Sequence, residues 1–207
     1  MQDIKELSLE ELQKVIKEWG VPQFHAGQIF NWIYKKGFAD FDKMTDLDSD
    51  LKEKLKENFY ILSLRLAKAM CSKDGTEKFL FSLKDNNLIE AVSIPAADRV
   101  TGCLSSQVGC KFSCRFCASG LSRFKRNLTS GEILEEILLL KSKSKHKKIT
   151  HIVFMGTGEP FDNYDSVLKA VRIINSAYAF NIGARHITIS TSGVIPGINK
   201  LANENLQ

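Results

Sequence analysis

The 207-residue chain has no uninterrupted apolar run of about 18 residues, the minimum for a membrane-spanning helix. It opens on Met1-Gln2-Asp3-Ile4-Lys5-Glu6, charged where a secretory signal needs an apolar stretch, so a cytoplasmic protein is expected. Internal repeats are absent, and the only biased segment is a lysine run over 141–148. Cysteine is sparse: five residues, at 71, 103, 110, 114 and 117, with none after Cys117. An odd number without a secretory leader argues against a disulfide framework. What is present is ordinary for a globular protein, with 43% hydrophobic residues, 26% charged and a net charge of +5. Three of the five cysteines fall within eight residues, which in a reducing compartment points to a metal or redox site.

Hydrophobic periodicity divides the chain in two. In residues 1–95, Ser8-Leu9-Glu10-Glu11 reads as a capping box ahead of an apolar stripe at Leu12, Val15, Ile16 and Trp19. Further stripes at Ile29, Phe30, Ile33 and Tyr34, and at Leu47, Leu51, Leu55 and Phe59, predict two more helices. Period-two alternation at Leu62, Leu64 and Leu66, then at Phe79, Phe81 and Leu83, predicts a small antiparallel sheet packed on those helices. Residues 96–207 alternate strand and helix three times, the signature of an α/β parallel sheet. Its strands are expected over Val100–Val108, Ile149–Met155 and His186–Thr191.

Loops after parallel strands gather at one end of the sheet, where closed barrels place their active sites. The first carries Cys110, Cys114 and Cys117, the second Gly156-Thr157-Gly158-Glu159-Pro160, and the third Ser190-Thr191-Ser192-Gly193. Cys-x3-Cys-x2-Cys can hold three irons of a four-iron cluster and leave the fourth open to a small ligand. Zinc competes, but no fourth Cys or His follows at finger spacing, and His146 and His151 lie beyond a predicted helix. Three core cysteines is the remaining reading; Lys111, Ser113, Arg115 and Ser119 are poor neighbours for it. Gly156 and Gly158 permit close approach of a ligand, or simply make a turn. Glu159 could accept a ligand's amino group, and Ser190 could donate to a carboxylate or ribose. Glu90 interrupts an otherwise apolar face with Leu88, Val92 and Ile94. It is either an inward carboxylate suited to proton transfer or a residue on a face turned to solvent.

The motifs Cys110-Lys111-Phe112-Ser113-Cys114-Arg115-Phe116-Cys117 and Gly156-Thr157-Gly158-Glu159-Pro160 resemble those of the radical S-adenosylmethionine (SAM) superfamily. Ser105-Ser106-Gln107-Val108-Gly109, Ser190-Thr191-Ser192-Gly193-Val194-Ile195-Pro196 and Gln28-Ile29-Phe30-Asn31-Trp32-Ile33-Tyr34 are similar to RlmN-type RNA adenine-C2 methyltransferases. The Cfr-type C8 methyltransferases are the nearest alternative; Pro160 and Ser192 look more like the C2 branch. The resemblance implies a partial TIM-like radical SAM barrel, about three βα units of it here, behind an RNA-binding α+β N-terminal domain. It implies a 4Fe-4S cluster on Cys110, Cys114 and Cys117, and S-adenosyl-L-methionine held by Gly158, Glu159 and Ser190. Glu90 takes the role of proton acceptor, and Cys103 that of a resolving thiol in a transient disulfide with a methyl-carrying cysteine. Cys71 receives no role and is expected to be structural.

The implied reaction is methylation of adenine C2 in 23S rRNA and tRNA by a monomer served by a flavodoxin-type reductant. Carbon 2 is electron-poor and offers no lone pair, so a cofactor must supply the hard step. Arg123, Lys125 and Arg126 could then meet RNA phosphates, with Lys141–Lys148 either joining them or forming a solvated face. Phe112, Phe116 and Phe124 could stack on RNA or cofactor, or pack in the core. The family's chain continues past position 207 to the carrier cysteine, so a C-terminally truncated fragment, inactive alone, is expected. A non-catalytic RNA- or zinc-binding module is the competing class.

Overall fold

The structure is a computed structural model that describes residues 1–112, 114–146 and 148–206; Ser113 and Lys147, both invoked above, lie outside the described residues. At the N-terminus β1 (Gln2–Asp3) leads into α1 (Leu9–Glu18). The Ser8 hydroxyl accepts the Glu11 amide and the Glu11 carboxylate accepts the Ser8 amide, the capping box expected there. α2 (Phe24–Phe30) continues as one π-helical turn over Asn31–Lys35 that buries Trp32, Ile33 and Tyr34. α3 (Ser49–Asn58) is capped by Asp48 and runs into β2 (Phe59–Tyr60), which pairs in parallel with β1.

The remaining strands are β3 (Arg65–Cys71), β4 (Glu77–Ser82), β5 (Leu88–Ala96), β6 (Arg99–Cys103), β7 (Gln107–Val108), β8 (Arg126–Asn127), β9 (His151–Phe154) and β10 (Ile187–Ile189). The helices among them are α4 (Ser130–Lys143), α5 (Tyr164–Asn175) and α6 (Ile195–Leu201). Six strands form one mixed sheet in the order β10-β9-β6-β5-β4-β3. β6, β9 and β10 are parallel to one another, whereas β3, β4 and β5 are antiparallel neighbours that extend the same sheet. This corrects the expectation of a separate antiparallel sheet on the helices. Residues 97 and 98 turn β5 directly back onto β6, with Val92 opposite Cys103 and Ala96 opposite Arg99, so the boundary expected at 95/96 falls inside a hairpin. Alternation marks strands but carries no information about which strand lies beside which. Leu62 and Leu64 are also buried before β3 begins, and β3 itself is an exposed edge. The strand expected over Val100–Val108 is two pieces, broken after Cys103.

α4 and α5 cover one face of the sheet. Ile133, Leu134, Ile137 and Leu140 are buried in the same core as Phe79, Phe81, Ile89, Ala91, Ile152 and Phe154. Each of the Ile, Leu and Phe side chains contributes roughly 1.5–3 kcal/mol by leaving water. The helical N-terminal part joins this core through Lys5, which is fully buried, donates to the Leu62 carbonyl at 2.5 Å and pairs with Glu135 on α4. The opposite face carries Lys78, Leu80, Glu90, Val92 and Cys103.

Candidate active site

The strand register decides where the chemistry-bearing side chains sit. Lys78 lies opposite Val92, Val92 opposite Cys103, and Cys103 opposite Val153, so these four share one row on the sheet face away from α4 and α5. Glu90, two residues from Val92 and opposite Leu80, is on that face one pleat nearer the ends of the parallel strands. It is not buried, contrary to the inward reading. Its side chain is 44% exposed and forms an ion pair with Lys78 at 2.8 Å. The core face of β5 is Ile89, Ala91 and Ser93, and the Glu90 face looks into a cleft of about 670 Å³. Across the cleft stand Val108, Ser119, Arg123 and Lys125 of the cysteine-loop region. Cys103 is nearly buried, and burial, with a smaller contribution from Glu136, pushes its thiol up to about 11 against the opposing effect of the Met155 amide.

The cysteine loop is pinched at its base. β7 pairs with β8, Cys110 bridges to Arg123, and the Lys125 amide donates to the Val108 carbonyl at 2.8 Å. Gly109 makes the pinch possible: its φ is +73°, and a Cβ there would stand 2.2 Å from the Arg123 carbonyl oxygen. Cys110, Cys114 and Cys117 are free and partly exposed. The Phe112 amide donates to Cys110 Sγ at 3.4 Å, and the Cys117 amide to the Cys114 carbonyl at 3.0 Å. Hydrogen bonds from the Ser119 hydroxyl and amide lower the Cys117 thiol, whereas burial raises that of Cys110. Among the described residues no group of three His, Cys, Asp or Glu side chains is already disposed to hold a metal ion. The loop therefore supplies three accessible soft ligands without preassembling them, a donor set that fits an iron–sulfur cluster.

Glycine at 158 is likewise required: φ is +114°, and a Cβ would lie 2.6 Å from Gln107 Cβ and 2.7 Å from Ser106 Oγ. Glu159 is 4% exposed. Its Oε1 accepts the Phe161 amide at 3.0 Å and its Oε2 accepts the Ser192 amide at 2.7 Å, so it links the second and third strand-end loops. Ser190 is exposed immediately after β10.

Several residues that hold this end together carried no signal of their own in the sequence reading. Gln107, fully buried, accepts the Glu159 amide at 2.9 Å and donates to Asn127 at 2.8 Å and Asp162 at 2.7 Å. Asn163 donates to the carbonyls of Ser106 and Leu128, both at 2.8 Å. The available hint was a polar Ser-Ser-Gln run directly after an apolar strand. Lys78, at the Glu90 carboxylate, was also missed.

The basic residues divide. Arg126 is committed to the protein, gripping Glu132 through two nitrogens at 2.8 Å each and Asp85 at 2.7 Å, and it holds the Asp85 carboxyl well below the usual range. Lys125 donates to Asn87 at 2.7 Å, and Arg123 is exposed on the cleft. Lys141 is not part of a solvated face: it donates to the Tyr34 carbonyl at 3.0 Å, and burial lowers its pKa. Phe116 is 93% exposed on the cysteine loop, whereas Phe124 lies part-buried beneath Lys111. Cys71 is exposed at the end of β3, so it supports no core.

Residues 2–61 match the family model for the ribosomal RNA large subunit methyltransferase N-terminal domain, and residues 104–206 that for the radical SAM superfamily. The chain is 44% identical to a probable dual-specificity RNA methyltransferase RlmN from Caldanaerobacter subterraneus subsp. tengcongensis and 49% identical to one from Carboxydothermus hydrogenoformans. Both alignments cover 100% of this chain and 60% of the relative, so the chain spans about three fifths of their length. The crystal structure of a radical SAM methyltransferase from Sphaerobacter thermophilus superposes with a TM-score of 0.90 at 38% identity, over 100% of this chain and 62% of that one. The mixed sheet, with its three parallel strands and the loops at their ends, is thus a partial radical SAM barrel. No helix is long and apolar enough to cross a membrane among the described residues. Residues 104–206 thus form a radical SAM domain, and it follows an N-terminal segment, residues 2–61, of the kind found in large-subunit ribosomal RNA methyltransferases.

Proposed function

We propose that this protein is a radical SAM methyltransferase that acts on adenine C2 in 23S rRNA and tRNA. The observation that carries the reading is one cleft bounded by the cysteine loop on one side and by the Glu90 face of the sheet on the other. Cys110, Cys114 and Cys117 would hold the 4Fe-4S cluster, and Gly158, Glu159 and Ser190 would line the SAM site. When bound, the cluster and SAM together supply one-electron chemistry that an electron-poor carbon requires.

Glu90, half-exposed on the cleft, is suited to take the proton that leaves C2, with Lys78 beside it as the countercharge. Cys103 sits on the same face as Glu90, where a thiol can meet a carrier cysteine from the remaining length found in the relatives. Its elevated pKa keeps it protonated at neutral pH, so it serves as a resolving thiol only after losing that proton during exchange. Arg123, exposed on the cleft, offers a phosphate contact, and Phe116, exposed on the cysteine loop, a base-stacking surface. The N-terminal helical part acts as an RNA-binding accessory. A flavodoxin-type reductant, a monomeric state and a cytoplasmic setting complete the proposal.

The test is direct. The natural full-length protein, reconstituted with iron and sulfide and given SAM, reductant and either 23S rRNA or tRNA, should form 2-methyladenosine. Glu90→Gln should abolish the product. Methylation at C8, or no methylation of either RNA, overturns the reading.

A further inference from the structure

We propose that Ser105 is a positioning residue that sets the spacing between Glu90 and the Gly156–Gly158 loop; its link to catalysis rests on the function proposed above. Ser105 follows β6 by two residues and is fully buried. Its hydroxyl donates to the Glu90 carbonyl at 2.7 Å and accepts the Thr157 amide at 3.0 Å. Its own amide donates to Glu136 Oε2 at 3.0 Å, and Glu136 is fully buried on α4. Three elements therefore meet at one residue: its hydroxyl joins the strand that carries Glu90 to the loop that carries Gly158 and Glu159, and its amide ties both to a core helix.

On the loop side the backbone shares the connection, with the Ser106 and Gln107 amides donating to the Thr157 carbonyl at 2.9 and 3.1 Å, but the ladder to the Glu90 strand stops short of Glu90. Pairing of β6 with β9 continues past the strand ends through Leu104 N to the Val153 carbonyl and Gly156 N to the Leu104 carbonyl, both at 2.9 Å. Pairing of β5 with β6 has its last register pair at Val92 and Cys103. Beyond that pair the Ser105 hydroxyl takes over, because a hydroxyl can donate once and accept as well. The packing leaves little slack: a Cβ on Gly156 would lie 2.7 Å from Ser105 Oγ and 2.6 Å from the Leu104 carbonyl oxygen. Alanine at 105 would leave a carbonyl and an amide without their partner and free the Glu90 strand to drift from the loop. Proton transfer is sensitive to displacements of this size, with about 1 Å costing on the order of 10²-fold.

Two measurements test the assignment. In the first, amide hydrogen exchange is followed in the 207-residue chain. Ser105→Ala should accelerate Thr157 exchange at least about tenfold, as expected when a net hydrogen bond of about 1.4 kcal/mol is lost. Glu136→Gln, which keeps an oxygen for the Ser105 amide, should leave Thr157 unchanged. In the second, the natural full-length enzyme is reconstituted and the ratio of 2-methyladenosine formed to SAM reductively cleaved is measured. Ser105→Ala should lower that ratio on the order of 10²-fold. Val171→Ala, a core change on α5, should lower stability while leaving the ratio intact. If Ser105→Ala fails to fold, Ser105→Cys, a weaker donor, should shift both readouts the same way by less. An unchanged ratio, or Thr157 exchange equal to that of the parent, overturns the proposal. If the parent itself makes no 2-methyladenosine, the function reading fails, and the exchange measurement alone decides whether Ser105 sets the spacing.

Discussion

Glu159 Oε2 accepts the Ser192 amide at 2.7 Å, so one buried carboxylate joins the loop after β9 to the loop after β10. The Phe161 amide occupies its other oxygen at 3.0 Å and starts the turn over Pro160–Asn163. Glu159→Ala leaves two amides without their acceptor and should cost about 1–3 kcal/mol in denaturant unfolding, with faster exchange at Ser192. Glu159→Gln, which keeps one acceptor oxygen, should cost less. Equal losses for the two variants would show that the hydrogen bonds are not what matters.

Gly158→Ala combines a φ of +114° with contacts of 2.6 and 2.7 Å to Gln107 and Ser106. Strain on the order of 1–3 kcal/mol is expected from the backbone alone, before the clash is counted. The melting temperature should fall, and equilibrium binding of SAM to the reconstituted protein should weaken with it. Wild-type affinity in a folded Gly158→Ala protein would remove this loop from the SAM site.

These two positions also show what the sequence makes legible. Short-range chemistry can be read directly: Ser8 with Glu11 and Thr129 with Glu132 are capping boxes that each close within one helical turn, and the three loop cysteines are eight residues end to end. Glu90 is different because β5 is apolar on both faces, with Leu88, Val92 and Ile94 on one and Ile89 and Ala91 on the other. Alternation says which residues share a face, but only the docking of α4 and α5 decides which face is core. The contacts of Ser105 with Thr157 and of Gln107 with Glu159 span 52 residues each, so no local pattern announces them.

Glu136 predicts a pH dependence. Burial raises its carboxyl well above the ordinary range, with the Ser105 amide opposing. The folded state therefore keeps a proton that the unfolded chain releases near about pH 4.3, and this contribution to stability is lost as pH rises through the elevated value. Glu136→Gln removes the titration. The difference in melting temperature, variant minus parent, should grow from pH 5 to pH 8; a pH-independent difference would contradict a protonated Glu136.

Lys5→Met breaks a buried pair and leaves Glu135 without its cation. Loss of one partner from such a pair costs about 3–5 kcal/mol. Urea unfolding should register a loss of that size, with early exposure of the β1 and β2 segment. A change within about 0.5 kcal/mol, typical of surface substitutions, would mean that this pair does not fasten the N-terminus to the barrel.

Metal and sulfide analysis of the natural full-length protein after anaerobic reconstitution decides whether Cys110, Cys114 and Cys117 serve radical chemistry. Iron with matching acid-labile sulfide is expected, together with reductive cleavage of SAM, and both should be lost when any one of the three cysteines becomes alanine. Stoichiometric zinc without iron, or an iron–sulfur content indifferent to those substitutions, would contradict that role.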